Sequence, residues 1–359
     1  MTELCEIYDI SRKTGYKWVG RYETQGGAGL EERSRAPLNH GLATAPEIVD
    51  LILQVKRAWP HWGPRKIVAK LGLRHPQLTL PSHSTAGEIL KRAGLVEPRR
   101  LHKRAPPGPG VLTVSGRPNH VWAIDHKGWV RLGDDARCEP LTITDDYSRY
   151  ALAISAGGNT RAKEVMPVMD RVFRDYGLPD VIRSDNGSPF ASTSVTGLST
   201  LSVWWLKLGI RPERIAPGKP QQNGRHERFH LTLLEAMKPA APNRQAQVSR
   251  FETFRRDYNH ERPHQALGQL PPASLYSCSH RSMPKTLPQP DYPSAHVVRR
   301  VRTNGEIKWR GDMIQICSAL AGERIALEEI EQGWTVWFHQ TPIASISANT
   351  GKVSPIYPG

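Results

Sequence analysis

The stretch that decides the fold runs from HVWAIDHKGWV (120–130) through ARCEPLTITDDYSRY (136–150), ALAISAGG (151–158) and TRAKEVMPVMDRVFRDYG (160–177) to PDVIRSDNG (179–187). The first three segments are rich in β-branched and aromatic residues and are bounded by Gly, Asp and Asn turn signals, as strands are. The fourth has helical spacing of its apolar residues, and the fifth reads again as a strand. Three strands, a helix, a fourth strand and further helices predict an α/β sheet covered by helices.

Three acids stand out in and just beyond that stretch. Asp125 lies in the strand-like VWAIDHKGW, Asp185 at the end of the strand-like VIRSDNGSPF, and Glu227 in PGKPQQNGRHERFH, on a helix that starts after Pro220 and the Asn223-Gly224 turn. One acid from each element can then meet at the same sheet edge. Three carboxylates within about 5 Å of one another repel pairwise by roughly 3 kcal/mol at an effective dielectric near 20, so they stay ionised together only around cations. Hard oxygen ligands select Mg²⁺, with Mn²⁺ as a substitute, over zinc. Two such ions clamp the attacking and leaving oxygens of an in-line displacement at phosphorus, so the substrate expected is a nucleic-acid backbone. Taken singly, Asp-Asn-Gly is a common turn, Asp125 an exposed strand residue and Glu227 a solvated helix face. Only the joint pattern carries the chemistry.

Working outward, the charge is uneven. The chain has 359 residues and a formal charge of +15, which favours a polyanionic partner. Residues 1–118 carry 19 basic and 10 acidic side chains, residues 119–275 carry 21 and 17, and the remainder 9 and 7. The N-terminal end is therefore expected to grip DNA first. Residues 1–38 read as a helix-turn-helix: a short helix, a turn at Asp9-Ile10, and a second helix capped by Ser11. That second helix, SRKTGYKWVGRY, offers Arg12, Lys13, Lys17 and Arg21 to phosphates or base edges, with some of Tyr16, Trp18 and Tyr22 packed inward. A helix-turn-helix usually has another helix ahead of this one, so either the module is truncated or its first helix is short. After a loop at Arg35-Ala36-Pro37, residues 44–97 hold three more helices, with Arg65 and Lys66 as candidate DNA contacts. They form a second helix-turn-helix or a helical spacer.

Residues 98–118, rich in Pro, Gly and basic residues, read as a linker, and residues 119–275 as the catalytic core. A Pro-rich stretch near 284–293 then separates a last segment, 294–350, whose alternating strands suggest a small β-barrel. Cys5, Cys138, Cys278 and Cys317 are scattered without short pairing, which argues against a zinc ribbon or a disulfide scaffold and fits a reducing compartment. No apolar run approaches membrane-spanning length, and the N-terminus lacks the apolar core of a signal peptide. A cytoplasmic protein is expected.

The pieces WAIDHKG, TDDYSRY, IRSDNGSPF, PGKPQQNGRHERFH and YNHERPHQAL, in this order, resemble those of insertion-sequence transposases of the DDE type, whose core is similar to that of retroviral integrases. The resemblance spans residues 1 to about 275 and is weaker beyond. It implies a ribonuclease-H-like core, two Mg²⁺ ions held by Asp125, Asp185 and Glu227, DNA ends and target DNA as partners, an oligomer of like chains on DNA, and a place on the bacterial nucleoid. Lys219, Gln222, Asn223 and Arg225 are expected to meet substrate phosphates from a mobile loop. Asn186 and Gly187 are expected to shape the turn that presents Asp185, Asp145 and Asp146 to be structural, and Tyr258, Arg262 and His264 to pack. Two departures stand out. The second and third acids have 41 residues between them, more than is usual, with the Ser/Thr-rich ASTSVTGLSTLS (191–202) as the natural place for the excess; the usual spacing would fall on Gln221, which is no anionic ligand. Leu231 and Leu234 stand where DNA-facing basic residues are usual.

Two other readings remain open at this point. An inactive copy acting as a DNA-binding protein accounts for the N-terminal helices but gives the acids no task. His226-Glu227-Arg228-Phe229-His230 is also a literal H-E-x-x-H, the zinc metalloprotease pattern, with His260 or His264 as a third ligand. It leaves Asp125 and Asp185 without a role.

Overall fold

In the computed structural model, residues 1–33, 43–96 and 112–356 are described. The loop at 35–37 and most of the expected 98–118 linker lie outside them. Residues 1–49 and 50–359 are separate compact units.

The first unit is built on α1 (Thr2–Ile7) and α2 (Arg12–Gln25). Ser11 caps α2 as its sequence position requires, accepting from Thr14 N at 3.2 Å, after a turn in which Asp9 takes φ 49°. The helices meet where Gly15 faces Cys5: a Cβ at Gly15 would stand 2.7 Å from Cys5 Sγ. Arg12, Lys13 and Lys17 are exposed, and Lys17 and Arg21 each lie 5.1 Å from the Trp18 ring centroid. Tyr16 and Tyr22 are exposed rather than packed inward, because two short helices bury only one face of α2.

The second helical region contains α3 (Pro46–Ala58), α4 (Pro64–Arg74) and α5 (His83–Arg92), packed through Ile52, Val55, Ile67, Leu71, Ala86 and Leu90. It does not hang free. Lys70 and Arg74 of α4 both pair with Glu261, which follows the last helix of the core.

That core is a sheet of β1 (Val121–His126), β2 (Val130–Arg131), β3 (Arg137–Asp145), β4 (Ala151–Gly157), β5 (Val181–Ser184) and β6 (Arg211–Arg214), with helices α6 (Ala162–Tyr176), α7 (Thr200–Lys207), α8 (Gly224–Ala236) and α9 (Arg244–His260). The strand order is β4-β3-β1-β5-β6, with β2 a short extension paired to β3. β3 is antiparallel to both of its neighbours, β4 and β1, while β5 and β6 run parallel to β1. This is the ribonuclease-H-like arrangement that the resemblance implies. β1 is central and covered on both faces, so its side chains sort by parity. Trp122 and Ile124 join Phe173 of α6 and Trp205 of α7 in the main core. Ala123 and Asp125, on the opposite parity, face the side where Phe229 and Leu233 of α8 and Phe251 and Tyr258 of α9 pack. Asn259 of α9 holds the β4 edge, accepting from Ala151 N at 2.8 Å and donating to Ala151 O at 3.0 Å.

The C-terminal part is a sheet domain of β7 (Val297–Arg300), β8 (Glu306–Trp309), β9 (Asp312–Gln315), β10 (Arg324–Ile330), β11 (Gly333–Phe338), β12 (Thr341–Ser347) and β13 (Val353–Pro355). Five strands pair antiparallel in the order β13-β12-β11-β10-β7, and the β8-β9 hairpin closes over the same core. The expected separation by the Pro-rich stretch is not what the packing gives. Leu198, Val203 and Leu206 of the catalytic core share the apolar cluster of this domain, and Lys207 pairs with Glu323 at 2.7 Å. The Ser/Thr-rich stretch therefore seats the C-terminal domain: Ser194 Oγ lies 3.4 Å from Cys317 Sγ, and Ala191 bridges to Leu198. Among the described residues, no helix is long and apolar enough to cross a membrane.

Candidate active site

The pairing of β1 with β5 places the two aspartates. Val121 pairs with Val181, Trp122 with Ile182 and Ala123 with Arg183. Two residues further along the same register, Asp125 comes level with Asp185, each at the carboxyl end of its strand. Neighbouring strands are about 4.8 Å apart, which is the spacing at which two carboxylates feel each other strongly. Glu227 is exposed in the first turn of α8, which crosses this end of the sheet.

The electrostatics agree with that placement. The Asp125 carboxyl is pushed up to about 7, first by burial, then by the charge of Asp185, with a smaller push from Glu227; Lys127 and a backbone hydrogen bond act against it. Its side chain is 23% exposed. Asp185 is held by its own turn: Gly187 N donates to Asp185 Oδ1 at 3.1 Å, and Asn186 Nδ2 donates to Ile215 O at 2.6 Å. A Cβ at Gly187 would stand 3.0 Å from Asp185 Oδ2, so any larger residue would push on the carboxylate.

Helix periodicity turns His226, Phe229, His230 and Leu233 inward and leaves Glu227 outside. The Nε2 atoms of His226 and His230 each lie 2.7 Å from the Thr142 hydroxyl, which itself donates to the Asp125 carbonyl oxygen at 3.0 Å. His226 Nδ1 meets the Thr144 hydroxyl at 2.8 Å. Burial, then Lys127 and His126, hold the His230 ring neutral, down to about 3; burial takes His226 well below its ordinary value. Both nitrogens of His226 are thus committed to threonines. His260 packs on Tyr150 and His264 on Tyr258, so neither is grouped with these two histidines. Asp125 is the group that stands beside the two histidines, while Glu227, exposed on α8, does not join them, so an H-E-x-x-H centre with His260 or His264 is not what the residues form.

The loop residues before α8 are built into the fold. Gln222 Oε1 accepts from Ala216 N at 2.7 Å, and Asn223 is buried, which gives it a packing position instead of the DNA-facing one expected. Arg225 Nη1 donates to Asp146 Oδ2 at 2.7 Å, tying the start of α8 to the β3 end. Asp146 is buried and also lies 3.8 Å from Arg183, which pairs with Glu213 at 2.8 Å. A cleft of about 900 Å³ borders Glu227 and is lined by Lys66, Arg149, Arg225, Arg228 and Arg262 among others. Sequence reading reached Lys66 and Arg225 of these five as DNA contacts and gave Arg262 a packing role. Arg149, Arg228 and Arg262 come from three separate elements, and no linear motif gathers them. Arg65 is exposed beside Lys66, and Lys219 is half-buried before the turn into α8.

Family comparisons agree with this organisation. Residues 115–220 and 208–272 match integrase core domain models, residues 14–90 a homeodomain-like domain, and residues 296–354 the C-terminal domain of IS481 family transposases. The chain is 30% identical over 293 residues to an insertion element IS407 protein of 31.7 kDa from Burkholderia multivorans, covering 79% of this chain and 96% of that one. It is 29% identical over 206 residues to an insertion element IS476 protein of 39.2 kDa from Xanthomonas euvesicatoria, covering 56% and 58%. Among solved structures, the HTLV-2 integrase catalytic core in complex with magnesium is similar at 14% identity and a TM-score of 0.37, covering 46% of this chain and all of that one.

Proposed function

Because the chain belongs to the DDE-type insertion-sequence transposases with an integrase-like core, we propose that it binds the ends of its own mobile element and cuts and joins DNA at Asp125, Asp185 and Glu227. One observation carries this reading. The β1–β5 register brings Asp125 level with Asp185, and the Asp125 carboxyl feels the charges of both Asp185 and Glu227. A cluster so costly to ionise in isolation is what a divalent cation relieves. The three acids offer carboxylate oxygens, which fit Mg²⁺ and admit Mn²⁺. Bound there, such ions supply activation of the attacking oxygen and neutralisation of the leaving one.

The reaction is hydrolysis of one strand at the element end, which leaves a 3′-hydroxyl, followed by attack of that hydroxyl on a target phosphodiester. The second step exchanges one P–O bond for another and needs no ATP. The protein's own side chains position the parts. Thr142 and Thr144 fix α8 through His226 and His230, Asp146 fixes it through Arg225, and Gly187 N orients Asp185. The cationic cleft beside Glu227 offers Lys66, Arg149, Arg228 and Arg262 to backbone phosphates. Residues 1–38, through Arg12, Lys13, Lys17 and Arg21, and residues 44–97, through Arg65, supply end binding, residues 119–275 the chemistry, and residues 294–350 a further sheet domain. Two ends must be held at once, so like chains assemble on DNA.

Glu227→Gln separates the steps. Duplexes carrying the element ends are expected to bind this variant as tightly as the native chain, with cleavage in Mg²⁺ or Mn²⁺ abolished. Cleavage at the native rate would remove Glu227 from the site. Binding without any cleavage by the native chain would point to a DNA-binding copy that has lost its chemistry.

A further inference from the structure

We infer that His230 is a nitrogen ligand to a transition-metal ion bound at Asp125, which makes this site more selective for Mn²⁺ over Mg²⁺ than a purely carboxylate site would be. The inference rests on the reading of Asp125 as a cation ligand. The Thr142 hydroxyl has one hydrogen and two lone pairs. It lies 3.0 Å from the Asp125 carbonyl oxygen, which has no hydrogen to give, so the hydroxyl spends its hydrogen there. With its hydrogen there, the Nε2 atoms of His226 and His230, each 2.7 Å from the same hydroxyl, are both assigned as N–H donors to its lone pairs. All three positions on the hydroxyl are filled.

The tautomers follow. In a neutral imidazole with Nε2 protonated, Nδ1 carries a lone pair. For His226 that lone pair accepts from the Thr144 hydroxyl at 2.8 Å. For His230 it faces Asp125 Oδ2 at 3.8 Å. The separation is too long for a hydrogen bond, and it leaves room for a cation that takes both atoms as ligands. Neighbouring ligands on an octahedral ion with bonds of about 2.1 Å lie about 3 Å apart, so the pair need approach by less than about 1 Å. The Asp125 carboxyl can turn by that much, since its terminal torsion is broad. His226 is excluded as a ligand because both of its nitrogens are occupied. Mg²⁺ prefers oxygen and keeps its waters, whereas Mn²⁺ stands above it in affinity for imidazole nitrogen, so the selectivity falls on the transition metal.

The test is electron spin-echo spectroscopy of Mn²⁺ bound to the full-length chain, with Mn²⁺ and Mg²⁺ affinities measured beside it. The native chain is expected to show modulation from a directly coordinated ¹⁴N, replaced by the ¹⁵N pattern when the protein is grown on ¹⁵N-histidine. This arm needs no variant and so survives any folding defect. His230→Asn is expected to remove the nitrogen signal and weaken Mn²⁺ binding about tenfold or more while leaving Mg²⁺ affinity nearly unchanged. His126→Asn is the control: its ring nitrogens are buried without a hydrogen-bond partner next to Asp125, but its side chain stacks on Phe190 on the other face of β1. It should leave the signal intact. A Mn²⁺ site that Asp125→Asn destroys but that shows no histidine nitrogen overturns the inference, as does a signal lost in His126→Asn and kept in His230→Asn. Mn²⁺ binding indifferent to Asp125→Asn instead overturns the reading of Asp125 on which it rests.

Discussion

Replacing Asp125 by Asn should stabilise the metal-free protein at high pH while abolishing its chemistry. In the fold the Asp125 carboxyl is raised from 3.8 to about 7, chiefly by burial and by the charge of Asp185. A carboxyl with a raised folded-state value binds its proton more tightly in the fold than in the unfolded chain. Its contribution therefore favours folding at low pH and is lost as pH climbs from about 4 through about 7. Above that window the ionised side chain opposes folding by at most roughly 4 kcal/mol, from about 1.4 kcal/mol per tenfold change in proton affinity. The side chain is 23% exposed, and water reaching it lowers the penalty to about 1–3 kcal/mol. Asn keeps the size and removes the charge. For a core of this size each kcal/mol moves Tm by about 2–4 °C, so in chelator at pH 8 the variant should melt about 3–8 °C higher than the native chain. At pH 5 the Asp125 carboxyl is protonated in the fold and only the first part of that window has been crossed, so the gap should narrow to about a third. Mg²⁺ at pH 8 should raise the native Tm and leave the variant unmoved. A variant that melts lower than the native chain at pH 8 without metal, or a gap unchanged between pH 5 and pH 8, would refute the reasoning.

Asp146→Ala should cost about 2 kcal/mol in denaturant unfolding, since it releases Arg225 from the start of α8 and leaves Arg183 with Glu213 as its remaining acid, and cleavage should fall with it. Gly187→Ala should reduce cleavage far more than it reduces Tm, because the added Cβ would crowd the Asp185 carboxylate while touching little else; equal losses in both would assign Gly187 a general packing role.

Some of this was readable from local pattern and some was not. The strand, helix and strand order of residues 120–187 is legible because alternation and turn chemistry are local. The alignment of Asp125 with Asp185 is not, because it depends on which strands pair and in what register, and those partners lie about sixty positions apart. The inward turn of His226 and His230 could have been read from the spacing of 226, 229, 230 and 233, but the H-E-x-x-H pattern drew attention to the pair as ligands. What no spacing reveals is the threonine pair on β3 that receives them. The Ser/Thr-rich stretch announced extra length between the acids. Its use, seating the C-terminal sheet domain on α7, rests on apolar contacts from Leu198, Val203 and Leu206 that composition alone hides. Arg225 is exposed at the cleft, as a phosphate contact would be, but the buried Asp146 that holds it belongs to a distant strand end and is not legible beside it.

The most direct test is covalent joining of DNA. A labelled duplex with the element's own terminal sequence and a free 3′-hydroxyl is incubated with a target plasmid, the purified chain and Mg²⁺, without any nucleotide. The native chain is expected to transfer label to the plasmid, and Asp125→Asn, Asp185→Asn and Glu227→Gln each to bind the duplex and transfer none. Transfer at the native rate by any one of the three, or transfer by the native chain with every divalent cation chelated, would contradict the assignment of these carboxylates as the centre that joins DNA.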